Sequence, residues 1–309
     1  ITRRAHRIDY AGAILLTVGC SLAILGLLEG GVAWAWLSAP SIAIFALGAV
    51  LLVVFVLVER RAAEPILPLW VFRHRTLTGG NLVALTVGAL MMGLSSYIPT
   101  YVEGVLGTGA VVAGFALAAL TIGWPIAATL SGRIYLRIGF RDTALIGTVV
   151  VVAGTVVGAF LGAQSAVWTV AAACFVVGVG LGLSSSPTLV AVQSVVGWDR
   201  RGVVTGTNMF CRSLGSAVGV AIFGAIANAT LADRFAHPPA SVAGDLPGSV
   251  DATSLVLGGR GGDGPVATFV RSALYDASHH VFVGLVVVAV LGVAALLLMP
   301  RRTQPLELD

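Results

Sequence analysis

Residues 143–198 read TALIGTVVVVAGTVVGAFLGAQSAVWTVAAACFVVGVGLGLSSSPTLVAVQSVVGW, a run of 56 residues without one charged side chain. The run is more than twice the ~20 residues that an α-helix needs to cross a bilayer. We therefore predict two membrane spans here, joined by a turn at residues 163–167 (AQSAV). Arg141 lies just before the run and Arg200 just after it, so both of its ends are expected on the same side of the membrane.

The arginines of the rest of the chain extend this pattern. All 18 basic residues are Arg, and most lie in clusters that separate long apolar stretches. Short loops rich in Arg stay in the cytoplasm, so each cluster marks a return to the inner side. This distribution predicts eight spans with both visible ends inside, with 14 arginines inside, three outside and one, Arg212, within a span.

The predicted spans and connections follow from the positions of the clusters. The first two spans cover about 10–28 and 41–58, and the third and fourth cover 78–102 and 110–130. A kink or break is expected at Pro187 in the sixth span. The seventh span is expected to end near Asn228, followed by a long outer loop with a short amphipathic helix at 266–277, and the eighth covers 281–299. Residues 64–75 are too short and too charged to cross and are expected to lie in the inner interface.

The composition agrees with a membrane protein and excludes other classes. The chain is 57% hydrophobic and 10% charged, whereas soluble domains average about 25% charged residues. The net charge of +4 comes from arginines at span ends, which favour lipid headgroups rather than nucleic acid. The three cysteines lie far apart in apolar spans, so neither a disulfide framework nor a metal site is predicted. No cofactor is expected, and the chain contains no His, Asp or Glu cluster typical of a membrane enzyme.

The beginning of the chain has two interpretations, a signal peptide or a cytoplasmic loop of a longer protein. Ile1 opens directly in a basic run, and the apolar segment that follows is longer than the hydrophobic region of a usual signal peptide. We expect the chain to begin in a cytoplasmic loop of a longer protein. Abundant Ala, Val and Gly together with no Lys are typical of a GC-rich bacterial genome.

Arg212 is the most informative single residue. It lies about ten residues into the seventh span, in TGTNMFCRSLGS (205–216), with Asn208 and Ser216 on the same helix face. An intramembrane cation is costly unless it is paired or hydrated, which favours a water-lined cavity or a structural pairing. Snorkelling of the side chain towards the cytoplasm is the alternative.

Two further groups of residues have both a functional and a structural interpretation. The loop GRIYLRIGFR (132–141) repeats Arg at four-residue spacing, and its cations suit the ends of helices. Glu103 is either a protonatable outer gate or a carboxylate that faces the periplasm at a helix end.

The order of several motifs resembles a known family. Residues 132–141 resemble the loop signature of the major facilitator superfamily, in the copy found in its C-terminal half. The resemblance continues in PTYVEGVLG (99–107), AG (113–114), GVVTGTN (202–208) and RSLGSAVG (212–219). Together these motifs resemble the multidrug:proton antiporters with fourteen spans. Leu136 replaces the acidic residue of the loop signature, and Glu103 stands where the family usually has Gln.

The resemblance implies an all-α membrane protein with eight transmembrane helices. Residues 1–76 correspond to two linker helices and an interfacial segment. Residues 77–300, with an outer loop at 231–279, correspond to the C-terminal six-helix bundle, built from two inverted three-helix repeats. Residues 301–309 form a cytoplasmic tail. The N-terminal six-helix domain, with the family's acidic coupling residues, is then missing from this chain.

The resemblance also implies a function, proton-coupled export of drugs or other lipophilic compounds across the bacterial inner membrane. Spans three, four, six and seven line the central path in the family. The substrate-path candidates on them are Tyr97, Trp124, Gln193, Asn208, Arg212 and Ser216. The candidates for a cytoplasmic gate loop are Gly132, Arg133, Arg137, Gly139 and Arg141. A wall with few polar groups suits a lipophilic or amphipathic substrate. An eight-span scaffold that binds a partner through its outer loop remains an alternative.

Overall fold

A computed structural model describes residues 9–30, 33–62, 67, 69–243 and 264–301. Within these ranges the chain is all-α, apart from one isolated bridge between Gly30 and Trp34. The long helices are α1 (Tyr10–Glu29), α2 (Ala39–Glu59), α3 (Arg75–Gly104), α4 (Ala110–Ile138), α5 (Phe140–Ala159), α6 (Val167–Ser194), α7 (Arg201–Ala236) and α8 (Pro265–Leu297). Two short 3₁₀ helices cover Leu69–Arg73 and Trp198–Arg200.

The prediction of eight membrane spans is confirmed. All eight helices are long and apolar enough to cross a bilayer, and the connection between α5 and α6 covers residues 160–166, beside the predicted turn. Short connections make consecutive helices run in opposite directions. One end of the bundle therefore carries Arg60, Arg75, Arg133, Arg200 and Arg301, and we call it the arginine-rich end.

The helices are longer than predicted, which corrects three details. Helix α6 continues through Pro187, so the proline does not break it. Helix α4 extends to Ile138, so the predicted loop of residues 132–141 is mostly helical. The turn between α4 and α5 is Gly139 alone, whose φ of 91° lies in the left-handed region that glycine adopts without a Cβ penalty.

The outer loop is also shorter than the predicted range of 231–279. Helix α7 continues to Ala236, and α8 begins at Pro265, so the segment predicted as a separate amphipathic helix is the start of α8. The two helices stay paired here through an ion pair between Arg234 and Asp276 and an edge-to-face contact of Phe235 with Phe269. Helices α7 and α8 each have more than 30 residues and are therefore longer than the ~20 residues that a membrane crossing needs. Residues 244–263 of the loop lie outside the described part of the chain.

The packing of α3–α8 repeats itself. Helix α4 packs against α6 as α7 packs against α3, and α5 packs against α6 as α8 packs against α3. Because the chain passes through the two sets in opposite directions, α3–α5 and α6–α8 form two inverted three-helix repeats. This arrangement agrees with the predicted fold class.

Glycines allow the close helix crossings that join the repeats. A Cβ at Gly178 of α6 would collide with the backbone carbonyl of Leu120 in α4. In the related crossing, a Cβ at Gly215 of α7 would collide with the backbone carbonyl of Leu85 in α3. Small residues at such positions let helix backbones approach within van der Waals contact in a membrane.

Helices α1 and α2 pack mainly against each other, and α1 also contacts α7. The following segment lies against the arginine-rich end of the six-helix unit. Its Val71 is fully buried in a small apolar cluster that includes Leu77 and Val204, and Trp70 lies 5.7 Å from the guanidinium carbon of Arg200. The division into linker and transport domain stays a prediction, and residues 302–309 of the predicted tail lie outside the described ranges.

Candidate functional site

A cleft opens between α3, α4, α6 and α7, with a cavity volume of about 130 Å³. Counted from the ends of α3 and α7, its residues lie roughly 8–18 Å below the arginine-rich end, at 1.5 Å per residue. At this depth a polar side chain meets water only if the protein encloses a water-filled cavity. Its lining residues are Gly80, Val83, Ala84, Val87, Trp124, Ser185, Ser186, Thr188, Leu189, Asn208, Met209 and Arg212.

Arg212 lies at the wall of this cleft. Its guanidinium carbon is 5.3 Å from the ring centroid of Trp124, which belongs to the neighbouring helix α4. The ring face attracts the cation electrostatically and orients it. Among the described residues no carboxylate forms an ion pair with Arg212 and no hydrogen bond to its guanidinium is found. The side chain therefore lines a cavity between helices.

Asn208 joins α7 to α3 beside the cleft. Its amide nitrogen donates to the backbone carbonyl of Gly80 at 3.1 Å and to the side-chain oxygen of Asn81 at 3.3 Å. Both asparagine side chains are buried, with 2% of Asn81 and 6% of Asn208 exposed. Asn81 was missed in the sequence analysis. An asparagine inside the apolar third span was the signal that would have found it, since a polar side chain in a span needs a partner.

Three other path candidates lie away from the cleft lining. The hydroxyl of Ser216 donates to the carbonyl of Gly88 at 3.2 Å, which joins α7 to α3 at their crossing. The amide of Gln193 donates to the hydroxyl of Thr205 at 2.9 Å and joins α6 to α7. Tyr97 is half-buried against the main core in the half of α3 that is farther from the arginine-rich end. The structure thus places Trp124, Asn208 and Arg212 together and separates the rest.

The cleft also contains hydroxyl side chains of α6. Thr188 lines it, but its hydroxyl donates to the carbonyl of Ser184 at 2.6 Å within α6. Ser185 likewise donates to Leu181 at 2.7 Å. Because these hydroxyls are bonded inside their own helix, the guanidinium of Arg212 is the strongest donor that remains at the cleft.

The predicted gate residues lie at the junction of α4 and α5. Arg133 and Arg137 are exposed on the last turns of α4, where cations are favoured by the helix dipole. Gly132 is inside α4 rather than at a turn, whereas Gly139 forms the turn itself. The Nε of Arg141 is buried without a hydrogen-bond partner among the described residues. Glu103 is half-buried in the last turn of α3, at the end opposite the arginine-rich end.

No group of three or more His, Cys, Asp or Glu side chains that would suit a metal ion occurs within the described ranges. The features of the site are the cleft, the cation of Arg212 and the largely apolar wall.

The family model of the Major Facilitator Superfamily matches residues 1–220, more than half of the chain. The chain belongs to this superfamily. Members of the superfamily are transporters, and the chain is therefore not an enzyme. The arrangement of α3–α8 in two inverted repeats is consistent with this membership.

Several curated relatives are similar to the chain. It is 27% identical to the multidrug transporter protein MdtP of Bacillus subtilis, over 95% of this chain and 59% of MdtP. It is 30% identical to multidrug resistance protein 3 of the same organism, over 73% of this chain and 44% of that protein. A tetracycline resistance determinant of Streptomyces rimosus is 30% identical over 75% of this chain and 68% of its own length. The chain thus spans about half the length of the two Bacillus proteins.

A solved structure supports the fold. A bacterial homologue of the human lysosomal transporter Spinster, in an inward-facing and occupied conformation, superposes with a TM-score of 0.54. The match covers 93% of this chain and 63% of the other, at 16% sequence identity. At that identity the likeness concerns the fold alone.

Proposed function

We propose that this chain forms the linker helices and the C-terminal six-helix domain of a proton-coupled exporter of drugs or other lipophilic and amphipathic compounds. A further six-helix domain of the same protein would face the cleft, and the two would rock against each other to give alternating access. The protein would lie in the bacterial inner membrane with the arginine-rich end in the cytoplasm.

The observation that carries this proposal is the cleft between α3, α4, α6 and α7. Its wall is apolar apart from a few polar groups, as expected for a site that takes lipophilic compounds of varied shape. The names of the relatives point in the same direction, since two are multidrug proteins of Bacillus subtilis and one is a tetracycline resistance determinant.

The inverted repeats supply a physical reason for movement. Repeats that pack alike but run in opposite directions allow similar arrangements to open towards either side of the membrane. The glycine crossings keep each repeat pair rigid, so the unit is expected to move as one body. An eight-span scaffold would need neither the cleft nor this symmetry.

Efflux of a fluorescent lipophilic dye from cells that carry the gene tests the proposal. Met209 lines the cleft and is 42% exposed, so Met209→Trp is expected to narrow the cleft without overpacking a core. The initial efflux rate should fall several-fold. Val203→Trp is the matched control on the same helix, because Val203 is equally exposed but does not line the cleft.

The two variants must be present at equal levels in the membrane for the comparison. Equal efflux by Met209→Trp and Val203→Trp would contradict a substrate path through the cleft. A protonophore should abolish efflux by the unaltered protein. Efflux that continues at the same rate after the proton gradient has collapsed would remove proton coupling from the proposal.

A further inference from the structure

Arg212 is the one charged side chain at mid-membrane depth in α3–α8 as far as these helices are described. Among the described residues of this unit, the carboxylates of Glu103, Asp142, Asp199 and Asp233 lie near helix ends or in connections, and Asp276 lies in the part of α8 that faces the end of α7. Asp276 is in turn paired with Arg234 near the end opposite the arginine-rich end. Within the described residues, the cleft therefore carries a cation, and its lining contains no carboxylate.

The contacts of Arg212 leave its hydrogen-bonding capacity open. A guanidinium carries five N–H donors in a planar fork, and none of them is bonded within the described residues. The contact with Trp124 orients the group through its π face but does not accept its N–H bonds. A cation in this environment is stabilised by water or by an opposite charge.

The remainder of the cleft is suited to a hydrocarbon body. Val83, Ala84, Val87 and Leu189 form apolar wall around the guanidinium, and Met209 adds a side chain that adapts to different shapes. The hydroxyls of Ser185 and Thr188 are engaged within α6. The cleft thus combines one cationic donor group with a largely apolar surface, to which Ser186 and Asn208 add neutral polar groups.

We propose that the cleft binds amphipathic compounds through an anionic group, a carboxylate, sulfonate or phosphate, that accepts hydrogen bonds from Arg212. This inference rests on the proposed function, since it assigns the chemical class of the compound in the same cleft. Arg is the residue best matched to such groups, because its fork donates two parallel hydrogen bonds to one anion. A cationic compound would have to approach a cation that forms no ion pair with any described carboxylate of this unit.

The test uses four compounds that share one hydrocarbon body and differ in a carboxylate, sulfonate, uncharged amide or quaternary ammonium head group. Binding to the purified protein, as its gene encodes it, is measured by isothermal titration calorimetry in an uncharged detergent. The unaltered protein should bind the two anions about tenfold or more tightly than the amide, because hydrogen bonds between two charged groups are stronger than those to a neutral acceptor. The quaternary ammonium compound should bind least.

Three variants separate the possible roles of Arg212. Arg212→Gln should remove the preference for anions and lower the affinity for the amide much less than that for the anions, and Arg212→Lys should keep part of the preference. Ser213→Ala is the control, since Ser213 is exposed on the next position of α7 and does not line the cleft. An unaltered protein with no preference for anions would overturn the inference, as expected if a carboxylate from another part of the protein pairs with Arg212.

An equal loss of affinity for all four compounds in Arg212→Gln would also overturn it, because Arg212 would then act on the shape of the cleft. Export from cells is measured in parallel. Binding of anions through Arg212 without export of any compound would leave the inference in place and contradict the proposed function. Export without a preference for anions would contradict the inference and leave the proposed function in place.

Discussion

Single residues of α7 divide into those that hold the helices together and one that remains available at the cleft. Asn208 and Ser216 donate hydrogen bonds to α3. The acceptors are on Gly80, Asn81 and Gly88. Arg212 lies between them along the helix, and among the described residues its guanidinium contacts only the ring of Trp124. The polar stripe that the sequence suggested is therefore one interface with one free cation in its middle.

Removal of the Asn208 amide should destabilise the protein. Asn208→Ala leaves the carbonyl of Gly80 and the side-chain oxygen of Asn81 without their donor between α3 and α7. Interhelical hydrogen bonds in membranes contribute about 1 kcal/mol, so a lower unfolding temperature in detergent is expected. Ser213→Ala, one turn away and exposed, should leave the unfolding temperature unchanged. An equal effect of both variants would contradict this assignment.

At the scale of the elements, the crossings α3–α7 and α4–α6 depend on glycine at the point of closest approach. Gly178 of α6 and Gly215 of α7 lie at these two crossings, and each faces the backbone carbonyl of its partner helix. A side chain cannot be accommodated there by a change of rotamer, because the opposing atoms belong to a backbone. The same helix α7 also contains Gly206, which has open space around it.

These two glycines of α7 form a matched pair for mutation. Gly215→Ala should force α3 and α7 apart and lower stability by about 1–3 kcal/mol, the usual cost of overpacking. Gly206→Ala should be neutral or raise stability by up to about 1 kcal/mol, since alanine favours a helix over glycine. Unfolding temperature of the purified protein is the measurement. A lower unfolding temperature of Gly206→Ala would contradict the prediction that helix propensity decides the effect of a side chain at this open position.

At the scale of the whole molecule, the eight helices alternate in direction and separate two ends of unequal charge. The arginine-rich end carries the junction of α4 and α5 and the turn between α6 and α7, whereas the connection of α5 to α6 at the other end has no charged side chain. An excess of Arg in short loops favours the cytoplasm, so this asymmetry predicts that the arginine-rich end faces the cytoplasm.

Labelling by a membrane-impermeant maleimide checks the orientation. In a protein whose three cysteines have been replaced, Arg137→Cys should react only after the cells are permeabilised. Gln164→Cys, exposed in the connection between α5 and α6, should react in intact cells. The opposite pattern would place the arginine-rich end outside and contradict the proposed topology.

Much of the fold was predictable from the sequence because the cost of placing a charge in a bilayer acts on each segment separately. The number of spans and their order follow from that local rule, whereas the side of the arginine clusters stays a prediction. Helix ends were less predictable. Residues 132–138 and 231–236 looked like loops from their charges, but helices α4 and α7 extend through them, since a helix can continue past the membrane when its neighbours still pack against it.

The sequence by itself determined that the chain has eight apolar spans, which ends carry arginine, and that Arg212 is an exception inside a span. Only the tertiary structure decided that Arg212 meets Trp124, that Asn208 bonds to Asn81 from 127 positions away, and that Tyr97, Gln193 and Ser216 lie outside the cleft lining. The physical reason is that membrane insertion depends on the composition of one segment. Contacts between segments depend on the rotation and crossing of helices, which are set by the packing of glycines and side chains from distant parts of the chain.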